Sequence, residues 1–269
     1  MTVGGGYVYW CDVASGIVDR VSVNGGAVTQ ISTVGALGMT TDSNNMYWIS
    51  TAGDVYQVAH GSATPLKIGT AQYTSTVIVS DGTYVYLNQN GINGSYVRIP
   101  VGGGDAGDLT PNTLIYTTGI AFAGGVTYLA VANTSAGAGL GLIGYLPGDG
   151  GLPVTLVSGL TGLQQLTTDG TRLYWVEDNG LTPDGIYSSS FDGGSVFPFT
   201  QTETHPKIIT DGTWLYYTNT TSVQKRPADG SGVATKIFMT RSPWTIAQDA
   251  NDLYWCDRDE NVIYRGPKH

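Results

Sequence analysis

Five aspartates, Asp42, Asp81, Asp169, Asp211 and Asp249, each stand five residues ahead of a tyrosine. A set of carboxylates brought together by a fold could hold a metal ion or share acid–base work. A second reading competes with that one. An Asp that opens an Asp-Gly turn accepts hydrogen bonds from its own backbone two residues on. Residues repeated in every unit of a repeat protein serve the unit, so the structural reading is preferred. Cys11 and Cys256 occupy the same repeat position near the two chain ends. Packed sheets lie about 10 Å apart, whereas bridged Cα atoms lie within about 7 Å, so two buried thiols are expected. Two cysteines with no histidine at ligand spacing do not make a zinc site. Among the histidines, His60 lies in a Gly-Ser turn and His269 is terminal, and neither invites a role. No Gly-x-Ser-x-Gly elbow or phosphate loop is present, and Gly102-Gly103-Gly104 has no helix behind it.

The elements that carry these residues are repeats. Tyrosines flanked by apolar or aromatic neighbours recur at Tyr9, Tyr47, Tyr86, Tyr128, Tyr174, Tyr216 and Tyr254, 38 to 46 residues apart. Gly4 and Ala123 replace the Asp in the first and fourth copies. Each copy reads as an apolar strand, the Asp turn, the Tyr strand, and two further strands joined by Gly-rich turns such as Asn24-Gly25-Gly26. Four short strands per unit of about 40 residues is the signature of a propeller blade. In Leu173-Tyr174-Trp175 and Leu253-Tyr254-Trp255 successive residues are large, so both faces of the strand must be covered. The reading is an all-β, seven-bladed β-propeller of four-stranded antiparallel blades, one domain over residues 1–269. The first and last blades are expected to be incomplete, and a six-bladed ring is the alternative.

The last copy, Leu253-Tyr254-Trp255-Cys256-Asp257 to Ile263-Tyr264-Arg265, resembles the YWTD repeats of lipoprotein-receptor propellers. The first, Val8-Tyr9-Trp10-Cys11-Asp12 to Val18-Asp19-Arg20, matches about equally well. The Asp after the aromatic pair is Ser50, Gln89, Val131, Glu177 and Asn219 in the other copies. The resemblance implies a six-bladed fold that binds protein ligands outside the cell. The unit is also similar to the Asp-Gly repeats of bacterial propeller lyases and surface proteins.

Composition narrows the partners. Only 12% of residues are charged, Lys and Arg number 12, and net charge is −9. Nucleic-acid phosphates and anionic membranes are held by Lys and Arg, so neither is an expected partner. No apolar run is long enough to span a bilayer, and no signal-peptide pattern opens the chain. The Gly/Thr/Asn-rich, Lys-poor composition suggests a secreted, periplasmic or cell-surface monomer.

Function would sit where the repeat breaks. The innermost strands are uniformly apolar at Met39, Ile78, Ile120, Leu166, Ile208 and Ile246, but their starts turn polar and large in copies five to seven. Gln164, Gln165, His205, Lys207 and Trp244 are expected to cluster at one mouth of the channel. Glu177-Asp178, Asn219, Asp257-Arg258, Glu203, Arg241 and the Asn133–Gly141 insertion would surround them. An aromatic among amides and charges suits a small polar molecule, a glycan or a protein ligand, and the same residues could instead line a wet channel. The reading is a non-enzymatic binding or scaffold module without cofactor. The alternative is a metal-dependent lyase or hydrolase with a metal on Glu177, Asp257 or His205. A lyase mechanism needing paired His and Glu around a metal cannot be assembled from these residues.

Overall fold

The computed structural model describes residues 1–12, 14–72, 75–89, 95–110, 116–132, 141–148, 150–178, 185–200 and 206–268. These form only β-strands, turns and irregular connections, and no helix is present that could cross a membrane. The strands make seven antiparallel sheets in chain order, the blades of a seven-bladed β-propeller.

Two compact units are distinguished, Met1–Thr117 with Asp149–Gly151, and Thr118–Gly148 with Leu152–His269. In the first, blade one is β1 (Thr2–Gly4), β2 (Tyr7–Asp12), β3 (Ile17–Ser22) and β4 (Thr29–Ser32). Blade two is β5 (Gly38–Thr41), β6 (Asn45–Ile49), β7 (Asp54–Ala59) and β8 (Leu66–Thr70). Blade three is β9 (Ile78–Ser80), β10 (Tyr84–Gln89), β11 (Ser95–Pro100) and β12 (Gly107–Asp108).

Blade four is β13 (Tyr116–Ala123), β14 (Val126–Ala132), β15 (Gly141–Tyr145) and β16 (Val154–Leu160). Blade five is β17 (Leu163–Thr168), β18 (Arg172–Glu177), β19 (Gly185–Ser190) and β20 (Phe197–Thr200). Blade six is β21 (Ile208–Thr210), β22 (Trp214–Thr218), β23 (Ser222–Pro227) and β24 (Thr235–Met239). Blade seven has three strands, β25 (Pro243–Gln248), β26 (Asp252–Asp257) and β27 (Val262–Pro267).

The first blade is more complete than its sequence suggests. Three residues, Thr2 to Gly4, suffice to pair with Tyr9, Val8 and Tyr7. Among the described residues, only the last blade lacks a fourth strand.

The Tyr strands are the buried centre of each blade. Every residue of β6 is buried, and Leu173, Tyr174, Trp175 and Val176 of β18 are fully buried. Side chains of both faces are therefore used in packing. Tyr174 and Val176 pack with Ile208, Leu215 and Tyr217 of the next blade, while Leu173 and Trp175 pack with Ala121, Tyr128 and Ile143 of the preceding one.

Candidate functional site

The repeated aspartates are hydrogen-bonded within their own hairpins. In all five, Oδ1 accepts the N–H groups two and three residues on, as Asp169 does from Thr171 and Arg172, both at 2.7 Å. Oδ2 accepts the hydroxyl of the tyrosine five residues on, at 2.6–2.9 Å. Burial would raise each carboxyl, but these donors outweigh it and hold all five below the ordinary 3.8. The tyrosines shift the other way, through burial and the adjacent carboxylate, Tyr86 to about 12. This set is structural.

The two copies without Asp solve the problem differently. In blade one, the Tyr9 hydroxyl lies 3.0 Å from Nδ1 of His60, whose Nε2 lies 3.0 Å from the Asp42 carbonyl. A Cβ on Gly5, at φ +57°, would fall 2.2 Å from the His60 ring, so glycine is required there. His60 thus has a structural role that its turn position in the sequence concealed. In blade four, Tyr128 stacks on Phe191 with ring centroids 4.9 Å apart.

Of the residues expected at the channel mouth, Gln164, Gln165, Lys207, Trp244 and Glu177 are described. His205 and Glu203 lie outside the described residues, as do 133–140 of the expected insertion. Strands β17 and β25 carry a register shift at their starts, between Leu163 and Leu166 and between Pro243 and Thr245. A bulge adds a residue to one strand and re-aims its side chain. Gln164 and Trp244 occupy these bulges and are exposed, Trp244 by 55%. The Arg258 guanidinium lies 4.9 Å from the centre of the Trp244 ring. Gln165 turns to the neighbouring blade, where its Oε1 accepts the Ile208 N–H at 3.0 Å. Lys207 is half-buried, and desolvation lowers its ammonium pKa despite the opposing field of Asp178.

The two described carboxylates of the metal alternative are engaged. Glu177 accepts Trp175 Nε1–H at 3.0 Å and the Thr161 N–H at 3.3 Å. Asp257 is fully buried. It accepts the Arg241 and Ser242 N–H groups and the Thr240 hydroxyl on one oxygen, and the Asp259 and Glu260 N–H groups on the other. Burial alone would raise Asp257, but these donors hold it far below the ordinary carboxylate range. Among the described residues no group of three His, Cys, Asp or Glu side chains could hold a metal.

Both cysteines are free thiols, but they are partly exposed, not buried. Each stands on a strand of a terminal blade, and Cys11 accepts the Ala36 N–H at 3.2 Å. Clefts of about 640 and 690 Å³ open at the other end of the inner strands, beside the Asp turns. They share Trp214, over which Lys225 sits at 4.6 Å, and the first holds the nearly buried Lys268, 3.6 Å from Asp211. Nothing in the repeat marks Lys268, because it follows the last strand.

No family model and no curated protein matches the chain. Solved structures do match it. A nidogen/laminin complex aligns over 84% of this chain and 89% of that one, with TM-score 0.61 and 17% identity. YCF48 bound to D1 peptide aligns over 100% and 93%, with TM-score 0.69 and 10% identity. A gluconolactonase from Xanthomonas campestris aligns over 86% and 84%, with TM-score 0.62 and 15% identity. Likeness at such identities is a likeness of fold, and that fold is the β-propeller.

Proposed function

We propose that residues 1–269 form one propeller domain that works as a non-enzymatic binding or scaffold module. The ligand, a small polar molecule, a glycan or a peptide, is taken at the entrance ends of the inner strands of blades five to seven. The observation that carries this reading is Trp244, a large aromatic turned out by a bulge, half exposed, with Arg258 against one ring face. An exposed aromatic beside amides and a cation suits the apolar face and polar edge of a sugar or peptide. Gln164, at the equivalent bulge of blade five, supplies an amide, and Lys207 a half-buried charge. Two of the similar structures, nidogen with laminin and YCF48 with a peptide, are complexes with binding partners. Export to the periplasm or cell surface, and the likeness to YWTD-type modules, belong to the same reading.

The test is a screen of glycans and peptides with the purified chain, repeated with Trp244→Ala and Gln164→Ala. A ligand lost in both variants at unchanged melting temperature supports the site. The gluconolactonase likeness keeps an enzyme as the second reading, a metal-dependent lyase or hydrolase. Stoichiometric bound divalent metal with lactone or glycan cleavage would establish that reading instead.

A further inference from the structure

In four blades the third-strand residue opposite the repeat tyrosine is a cation: Arg20, Arg98, Lys225 and Arg265. Each is seated on the second-strand residue two positions before that tyrosine. Arg20 lies 4.6 Å from the Tyr7 ring centre, Arg98 4.4 Å from Tyr84 and Lys225 4.6 Å from Trp214. Arg265 pairs with Asp252 at 2.7 Å. Blade five inverts this arrangement. Ser188 stands opposite Tyr174, and the cation, Arg172, stands two positions before the tyrosine.

The inversion leaves Arg172 poorly partnered. Its guanidinium donates one hydrogen bond, from Nη2 to Ser188 Oγ at 3.3 Å, and its Nε is buried without a partner. It borders the cleft of about 690 Å³ beside the Asp turns, with Thr213, Trp214 and Asp229 of blade six. Asp169 also lines the cleft, but both its oxygens are filled by Thr171, the Arg172 N–H and Tyr174. Asp229 is the carboxylate left available. It is exposed, and its one hydrogen bond is the Ser231 N–H at 2.8 Å. Ser231 holds this carboxyl below the ordinary 3.8, and the fields of Arg172 and Arg226 act in the same direction. Arg226 is itself spent on the Phe199 and Gly230 carbonyls. A cation and a carboxylate thus face one cleft and sense each other without forming an ion pair.

We propose that this cleft is a second ligand site, for a free α-amino acid with an apolar side chain. Its carboxylate pairs with Arg172, its ammonium with Asp229, and its side chain lies against the Trp214 indole. Guanidinium and carboxylate form short, directional, charge-assisted bonds, and an indole offers apolar area beside them. The separated charges select for both signs at once. A simple anion would meet Asp229 and a chain of net charge −9, and a simple cation would meet Arg172. The site lies at the opposite end of the inner strands from Trp244 and does not rest on the entrance reading.

The experiment titrates the full chain with L-phenylalanine, followed by saturation-transfer NMR. Saturable binding is expected. Phenylpropanoate lacks the ammonium and phenylethylamine lacks the carboxylate. Each should bind at least about tenfold more weakly, as loss of one hydrogen-bonded charge implies. Arg172→Gln should weaken phenylalanine and phenylpropanoate but leave phenylethylamine unchanged. Asp229→Asn should weaken phenylalanine and phenylethylamine but leave phenylpropanoate unchanged. Asp229 is exposed, so its variant keeps the test decisive should Arg172→Gln fail to fold. Trp244→Ala should bind phenylalanine normally, which separates this cleft from the entrance site. Absence of saturable binding, or a half-ligand bound as tightly as phenylalanine, would overturn the proposal. So would loss of binding in Trp244→Ala, or tighter binding of glucuronate, since a sugar acid would then be the occupant.

Discussion

At the scale of the residue, the Asp–Tyr pair is the unit of local order. One carboxylate satisfies two turn N–H groups and a tyrosine hydroxyl, so its removal leaves three donors short of an acceptor. Asp249→Ala should therefore cost about 1–3 kcal/mol, read as a shift in urea midpoint. The five carboxyls are held below their ordinary 3.8, so the folded state binds fewer protons than the unfolded chain in that range. Their stabilisation is present above about pH 4 and lost as pH falls through the folded pKa values. The tyrosines are raised above 10.0, so the unfolded chain ionises first in alkali. Their contribution is complete below about pH 10 and lost as pH rises towards their folded values. Urea midpoints measured from pH 2 to 12 should trace a plateau with these two limbs, and Tyr86→Phe should reduce the alkaline one. Both thiols should react with a thiol reagent without prior reduction, Cys256 more slowly because desolvation raises its pKa.

At the scale of the element, the blades divide into a packed centre and adaptable ends. Tyr174 is fully buried between two blades and stacks edge-on against Phe199 at 5.8 Å. Tyr174→Ala should cost about 3–5 kcal/mol, lowering the melting temperature by roughly 10 °C. Trp244 shares the strand architecture but sits on a bulge, with the Arg258 guanidinium 4.9 Å from its ring centre. Trp244→Ala should change stability by no more than about 1 kcal/mol, including the loss of the cation–π contact. Differential scanning of the two variants checks the contrast. Equal destabilisation would place Trp244 in the core and remove the entrance site with it.

At the scale of the whole molecule, composition and repeat act together. Few charges and many glycines allow short strands and tight turns throughout, and the result is a chain described without a single helix. An excess of nine negative charges opposes self-association at low salt. Sedimentation in dilute buffer should therefore show one species of 28.3 kDa. A concentration-dependent dimer would contradict this.

What the sequence determined by itself was whatever is local. The Asp turn closes within five residues, and the Tyr strand declares its two buried faces through adjacent large side chains, so seven Tyr strands could be counted directly, while the choice between seven blades and six was made by the seven sheets of the structure. Tertiary structure decided what depends on distant partners and on register. His60 serves Tyr9 across 51 positions, and no motif in the repeat links them. Gln164 and Trp244 could be picked out as breaks in the repeat, but the bulges that turn them outward arise from mismatched pairing with β18 and β26. Glu177 and Asp257 read as free carboxylates until the loops folded N–H groups and an indole onto them. The first blade closed with a three-residue strand because pairing needs backbone, not side-chain pattern, and the last was left open because no further strand of the chain pairs with β27 among the described residues.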